Sequence, residues 1–158
     1  MHTKGLTKKL DHPHEEGEWI IIRKVSSGYL DQARETFSRR SSRIIRDMGG
    51  MGNMPNFKRC PKCDAQQEEG HECSPLDVFA KEERVKNPSA VDATTLDRKT
   101  MLNAAVTSWS SEVEVNEKEV ADLDEFTAEW LFRQIVSFVN ENMTVEAKKE
   151  ETRPSSSS

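Results

Sequence analysis

Four side chains near the middle of the chain have the types and spacing of a metal site. Cys60 and Cys63 are followed, after seven residues, by His71 and Cys73, which gives the pattern C-x2-C-x7-H-x-C. Thiolate sulfur and imidazole nitrogen are the ligands that zinc takes in closed, four-coordinate structural sites. Gly70 eases the turn before the second pair. The sequence therefore predicts one structural zinc site formed by these four residues.

Two other uses of the cysteines remain open from the sequence. All three thiols could lie in the fold without a ligand, or Cys60 and Cys63 could act as a redox pair. The βαβ pattern that surrounds a thioredoxin-like C-x-x-C motif is missing here. His2, His12 and His14 could also bind metal, but they lie near the N-terminus and have no cysteine beside them, so this is the weaker candidate site.

The pattern of apolar residues along the chain predicts an α+β, mainly α, fold. In this fold a short N-terminal strand packs on a small helical core and positions the four residues. The run from Glu18 to Val25 contains three successive isoleucines, which indicates a β-strand. Both of its faces are largely apolar, so it needs a partner, either residues 112–115 or another subunit. Ser26 or Ser27 then begins a long helix that ends at Gly49.

The core is predicted between residues 101 and 139. A helical stripe runs to Trp109, and two further helices begin at caps formed by Asn116 and Asp124. We interpret Trp109 and Trp130 as core residues. The first stripe consists of Leu102, Ala105, Val106 and Trp109.

The chain is predicted to form one small domain with polar ends. Residues 1–16 are expected to be a flexible arm, residues 17–139 the domain, and residues 140–158 a disordered tail. Residues 49–79 form a Cys/His-bearing insert in the domain. The mean hydropathy is −0.78, and no apolar run approaches the roughly 20 residues that span a membrane. Without an apolar signal region, a cytoplasmic protein with reduced thiols is expected.

Charge is distributed unevenly along the chain. Residues 23–59 contain nine Lys or Arg against three Asp or Glu, a net charge of +6, whereas residues 112–151 carry a net charge of −8. Such a chain can associate with itself, head to tail. Arg39 and Arg43 lie on the basic helix, where no aromatic residues are interleaved, so solvation or an acidic protein partner is favoured over nucleic acid.

An apolar surface for a protein partner is also predicted. The strand residues Ile20 and Ile22 are expected to contribute to it, together with Met51 and Met54 of the flexible connector before the cysteines. β-Branched strand edges and methionines both adapt to extended or helical apolar partners.

Two blocks of the sequence, 17–34 and 102–136, resemble the small tail assembly chaperones of long-tailed bacteriophages and related prophage tail proteins. The resemblance lies in the order of four motifs along the chain. These are an E-G-E-W strand, an S-x-x-Y-L-D-x-A-R helix start, L-N-A-A-V-x-S-W-S and T-A-E-W-L-F-x-x-I-V. The insert with the cysteines lies between the two blocks and departs from the family pattern. The positions that carry the resemblance are Leu102, Val106, Trp109, Ser110, Leu123, Asp124, Trp130 and Ile135.

The resemblance implies a non-enzymatic assembly factor that binds the tape measure protein in the host cytoplasm and is absent from the mature virion. The residues themselves support this class, because they offer no nucleophile, base and acid set, no phosphate loop and no paired carboxylates in an apolar pattern. The alternative function is a zinc-binding adaptor that contacts nucleic acid or a protein partner through the basic helix and the Cys60–Cys73 loop.

Overall fold

A computed structural model describes residues 6–47, 59–65 and 70–151, the last eight of these by their backbone alone. Over these residues, three β-strands form one sheet and five α-helices pack beside it, so the prediction of an α+β, mainly α, fold is confirmed. The elements are β1 (Thr7–Asp11), β2 (Trp19–Arg23), α1 (Ser27–Asp47), α2 (Pro75–Lys86), a 3₁₀ turn (Ala93–Thr95), α3 (Arg98–Ala105), β3 (Val106–Trp109), α4 (Glu117–Ala121) and α5 (Glu125–Glu151).

The strand predicted around the three isoleucines is the centre of the antiparallel sheet. In β2, Ile20 lies opposite Leu10 of β1 and opposite Trp109 of β3. The predicted pairing with residues 112–115 is wrong, since these residues form an irregular connection after β3. Strand β2 needs no partner strand from another subunit, because β1 and β3 pair with its two edges.

The helix predicted to run through Trp109 ends four residues earlier. Helix α3 stops at Ala105, and Val106 begins strand β3. The β-branched residues Val106 and Thr107 favour an extended backbone, and the Thr107 hydroxyl donates a 3.0 Å hydrogen bond to the carbonyl of Ile21. The spacing of the apolar residues fits a helix, but pairing with β2 makes this segment a strand.

The core lies between the sheet, α3 and α5. Ile20 is 5% exposed and Ile22 is fully buried, packed in one cluster with Met101 and Leu131. The prediction that Ile20 and Ile22 contact a partner protein is therefore wrong: side chains on this face of β2 are covered by the helices of the same chain. Trp109 and Trp130 are partly buried against this cluster, which agrees with their interpretation as core residues.

Both predicted polar ends contain regular structure. The arm includes β1, and His12 Nε2 lies 3.0 Å from the hydroxyl of Thr127, which ties the arm to α5. The predicted disordered tail begins inside α5, where Asn140 is buried. The predicted boundaries are wrong because β1 has few apolar residues and because helix-forming Ala, Lys and Glu continue α5 beyond the core.

Helix caps support the predicted helix starts. The Asn116 side chain accepts 3.0 Å hydrogen bonds from the amides of Lys118 and Glu119, and Asp124 accepts one of 3.0 Å from Thr127. Within the described ranges, no helix combines the length and apolar character that a membrane crossing requires.

Candidate metal centre

The four predicted metal ligands come together in space. One donor atom from each of Cys60, Cys63, His71 and Cys73 can be chosen so that all four lie within 4.8 Å of one another. Cys60 and Cys63 are buried, while His71 and Cys73 are half-buried. The cluster therefore brings together three thiol groups and one imidazole that could hold a metal ion, as the sequence pattern predicts.

The distances within the cluster fit a small tetrahedral cation. The sulfurs of Cys60 and Cys73 are 3.5 Å apart, and the Cys63 sulfur is 3.3 Å from His71 Nε2. Zinc bond lengths of about 2.3 Å to sulfur and about 2.0 Å to nitrogen give edges of roughly 3.8 Å and 3.5 Å in a tetrahedron. These two distances need to lengthen by only a few tenths of an ångström, and no other donor–donor distance in the cluster exceeds 4.8 Å.

A tight turn presents the first pair of cysteines. The amide of Asp64 donates to the carbonyl of Cys60 over 2.9 Å, and the amide of Cys60 donates to the carbonyl of Ala65 over 2.8 Å. Asp64 has a positive φ of 61°, a left-handed conformation that Asp tolerates better than most residues. These contacts bring both thiols to the same side of the turn.

The second pair lies at the start of helix α2. Gly70 has a φ of +81°, so the glycine predicted to ease this turn does adopt a left-handed conformation. Cys73 is followed by Ser74, whose hydroxyl accepts a 3.3 Å hydrogen bond from Leu76 and caps α2. The partial positive charge of the helix N-terminus therefore lies beside Cys73.

The pKa values of Cys60 and Cys73 are shifted in opposite directions. Backbone amides of Lys62 and Cys63 donate hydrogen bonds to Cys60, and this lowers its pKa from the ordinary value to about 6. The pKa of Cys73 is raised to about 11, chiefly because its thiol donates to Cys60 and because burial disfavours its charge. Without a metal, the cluster therefore holds a thiolate on Cys60 next to a protonated Cys73, and a divalent cation would stabilise both as thiolates.

Helix α2 holds the turn from outside the ligand set. Lys81 Nζ lies 3.1 Å from the carboxylate of Asp64 and donates to the carbonyl of Pro61. The same ammonium adds positive charge close to a cluster whose three thiolates would exceed the charge of one zinc ion. Such outer contacts orient metal ligands and tune metal affinity.

Helix α2 is in turn fixed to the body of the domain. Buried Asn140 of α5 accepts a 2.8 Å hydrogen bond from the amide of Val91 and donates over 3.4 Å to Glu83 of α2. Ala80 of α2 is buried in the core, and Leu76 and Phe79 pack against it. The cluster is thus joined through α2 to the same core that holds the sheet.

The other residues for which the sequence predicts a binding role lie away from the metal-type cluster or outside the described residues. Met51 and Met54 lie outside the described residues. Arg39 and Arg43 are exposed on α1, and Arg39 makes a 2.5 Å ion pair with Glu35 of the same helix. In the N-terminal histidine cluster, His12 Nδ1 accepts from the amide of Glu15 over 3.0 Å, a structural role within its loop.

Sequence reasoning missed Lys81 and Asn140. Lys81 looks like any lysine on a charged helix, and Asn140 looks like the first polar residue of a tail. Nothing local marks either residue, since their partners are 17 or more residues away in the chain. One signal existed for α2 as a whole, because its start directly follows the last metal ligand.

No family model, curated protein or solved structure gives a match to this chain.

Proposed function

We propose that the protein is a non-enzymatic tail assembly chaperone with a structural zinc centre. In this role it binds the tape measure protein of a long-tailed phage in the host cytoplasm and leaves before the virion is complete. The observation that supports the chaperone proposal is that the two blocks that resemble this family, residues 17–34 and 102–136, are in contact. Ile20 of the first block pairs with Trp109 of the second, and Ala33 accepts a 3.1 Å backbone hydrogen bond from Asp97, which leads into the second.

The zinc proposal is supported by the number and type of the converging ligands. Cys60, Cys63, His71 and Cys73 would fill all four positions of a tetrahedral ion and leave none for water or substrate. A closed site of this kind contributes folding energy to its loop rather than chemistry. It therefore accords with a non-enzymatic role.

Co-expression tests the chaperone proposal. The tape measure protein from the same genome is expected to aggregate when expressed alone and to remain soluble, bound to this chain, when both are expressed. An unrelated soluble protein of similar size serves as the control partner. A tape measure protein that is equally soluble alone, or that fails to co-purify with the folded chain, would contradict the proposal.

The second candidate function is a zinc-binding adaptor, favoured by the exposed arginines of α1 and by the metal-type cluster. An adaptor that binds nucleic acid would show affinity for DNA or RNA that falls steeply with salt, and Arg39→Glu with Arg43→Glu would weaken it for every sequence. Fluorescence anisotropy on labelled duplex DNA and single-stranded RNA separates the two functions. Absence of binding at low salt would remove the nucleic-acid adaptor.

A further inference from the structure

Helix α1 extends well beyond the part of it that packs. Its buried residues, Leu30 and Ala33, lie in the first two turns. In the last turns, Ile44 is 59% exposed and Ile45 is 38% exposed, although both fall on the apolar stripe of the helix. Among the described residues, α1 packs mainly on α3 and the 3₁₀ turn, and Arg40, just past the middle of the helix, pairs with Asp97. Ile44 and Ile45 thus form the end of an apolar stripe that the described residues leave exposed.

This stripe is surrounded by positive charge. Arg39, Arg43 and Arg46 are exposed beside the two isoleucines. Arg39 is paired with Glu35, but in the described part of the chain Arg43 and Arg46 make no ion pair. We call Arg39, Arg43, Ile44, Ile45 and Arg46 the α1 face. A surface of this kind fits an acidic partner that also offers apolar side chains.

The same chain exposes a surface with these properties. The connection after β3 contains Glu112, Val113 and Glu114, all exposed, and Val113 is 49% exposed. Asp122 and Phe126 follow near the start of α5, where Phe126 is 51% exposed. Ser111 and Asp124 line one cavity of about 140 Å³, so the two segments are neighbours in space. We call Glu112, Val113, Glu114, Asp122 and Phe126 the acidic face.

We propose that the α1 face of one copy of this chain docks on the acidic face of a second copy. Both faces include exposed apolar side chains, and their net charges are opposite: the α1 face is positive although the exposed Asp47 adjoins it, and the acidic face is negative. No ion pair joins the two faces within one copy among the residues described. A contact between two different surfaces is heterologous, so repeated docking produces a head-to-tail ring or open chain rather than a symmetric dimer.

Sedimentation velocity on the 158-residue chain as purified tests this proposal, which is independent of the proposed function because it needs neither a tape measure protein nor bound zinc. The weight-average sedimentation coefficient is expected to rise with protein concentration and to fall at high salt, which screens exposed charges. A wild-type protein that is monomeric at every concentration would overturn the proposal, whether or not it binds duplex DNA through the same arginines.

Two variants locate the contact. Arg43→Glu with Ile44→Asp alters the α1 face, and Val113→Lys with Glu114→Lys alters the acidic face. Each is expected to raise the dissociation constant for self-association by about tenfold or more. Arg34→Glu changes the same charge in the packed half of α1 and is the control, with self-association unchanged.

Mixing the two variants gives the decisive result. Each variant retains the face that the other has lost, so the mixture is expected to associate at a protein concentration at which each variant alone is mainly monomeric. This recovery also shows that both variants are folded. A mixture that stays monomeric while circular dichroism shows both variants folded, or an α1-face variant that associates as the wild type does, would overturn the proposal.

Discussion

Lys81 of helix α2 lies 3.1 Å from Asp64, the residue that follows the second cysteine of the candidate metal centre. The lysine also donates to the carbonyl of Pro61, between the two cysteines. One side chain therefore holds both sides of the turn that presents Cys60 and Cys63. This contact makes α2 part of the metal centre, although it contributes no ligand.

Replacing this lysine should weaken metal binding. Lys81→Met removes the ammonium and both contacts but keeps the length of the side chain, and we expect zinc affinity to fall about 10-fold to 100-fold, as for other outer contacts of metal sites. Competition with a chromogenic chelator measures the affinity. Lys86→Met, an exposed lysine at the end of the same helix, is the control. Equal affinities for both variants and the wild type would show that Lys81 does not position the turn.

Asn140 is expected to connect the metal centre to the stability of the domain. Asn140→Ala leaves the buried amide of Val91 and the carboxylate of Glu83 without this partner, which should lower the free energy of unfolding by about 1–3 kcal/mol. Urea unfolding followed by tryptophan fluorescence gives this value.

The control for this prediction is Asn142→Ala on the same helix. Among the described residues, Asn142 donates to the carbonyl of Phe138 one turn earlier in the same helix, so a cost below about 1 kcal/mol is expected. Hydrogen exchange should also become faster in α2 of the Asn140→Ala protein. If the two alanine variants are equally stable, Asn140 does not hold α2 on the body.

The opposite pKa shifts of Cys60 and Cys73 predict an order of thiol reactivity in reduced, metal-free protein. A lowered pKa of about 6 makes Cys60 a thiolate at neutral pH, whereas a pKa of about 11 keeps Cys73 protonated. The thiolate is the nucleophile, so iodoacetamide should label Cys60 before Cys73 even though Cys60 is the more buried of the two, and this labelling should slow as the pH falls through about 6. Peptide mapping by mass spectrometry identifies the labelled residue.

Bound zinc supplies the control, because coordination should protect all the cysteines from iodoacetamide. Cys60→Ser should remove the fast phase of labelling. Labelling of Cys73 before Cys60 in the metal-free wild type would contradict the hydrogen-bond directions in the cluster.

The ligand set could be predicted from sequence because it depends on residue type and on short spacing. Cys60, Cys63, His71 and Cys73 lie within one segment, and turns at Asp64 and Gly70 are enough to bring them together. The caps at Asn116 and Asp124 are equally local. Features that depend on distant partners were not accessible in the same way.

Strand β3 shows why. Val106 and Trp109 fit a helical stripe that starts at Leu102, and only pairing with β2, more than 80 residues earlier, makes the segment extended. The wrong prediction for Ile20 and Ile22 has the same cause. The sequence of an apolar strand face is the same whether its own domain or a partner protein covers it. The sequence predicts an arm where β1 lies, because this edge strand carries charged residues such as Lys8 and Lys9.

The metal content of the purified protein tests the zinc centre most directly. Protein purified without chelators and under reducing conditions should contain about one zinc ion per chain, because the four ligands form one closed site. Elemental analysis and native mass spectrometry give the stoichiometry, and Cys60→Ser with Cys63→Ser should lose the metal while the tryptophan core remains folded. Freshly prepared, reduced wild-type protein that contains no zinc and takes up none when zinc is added would contradict the account.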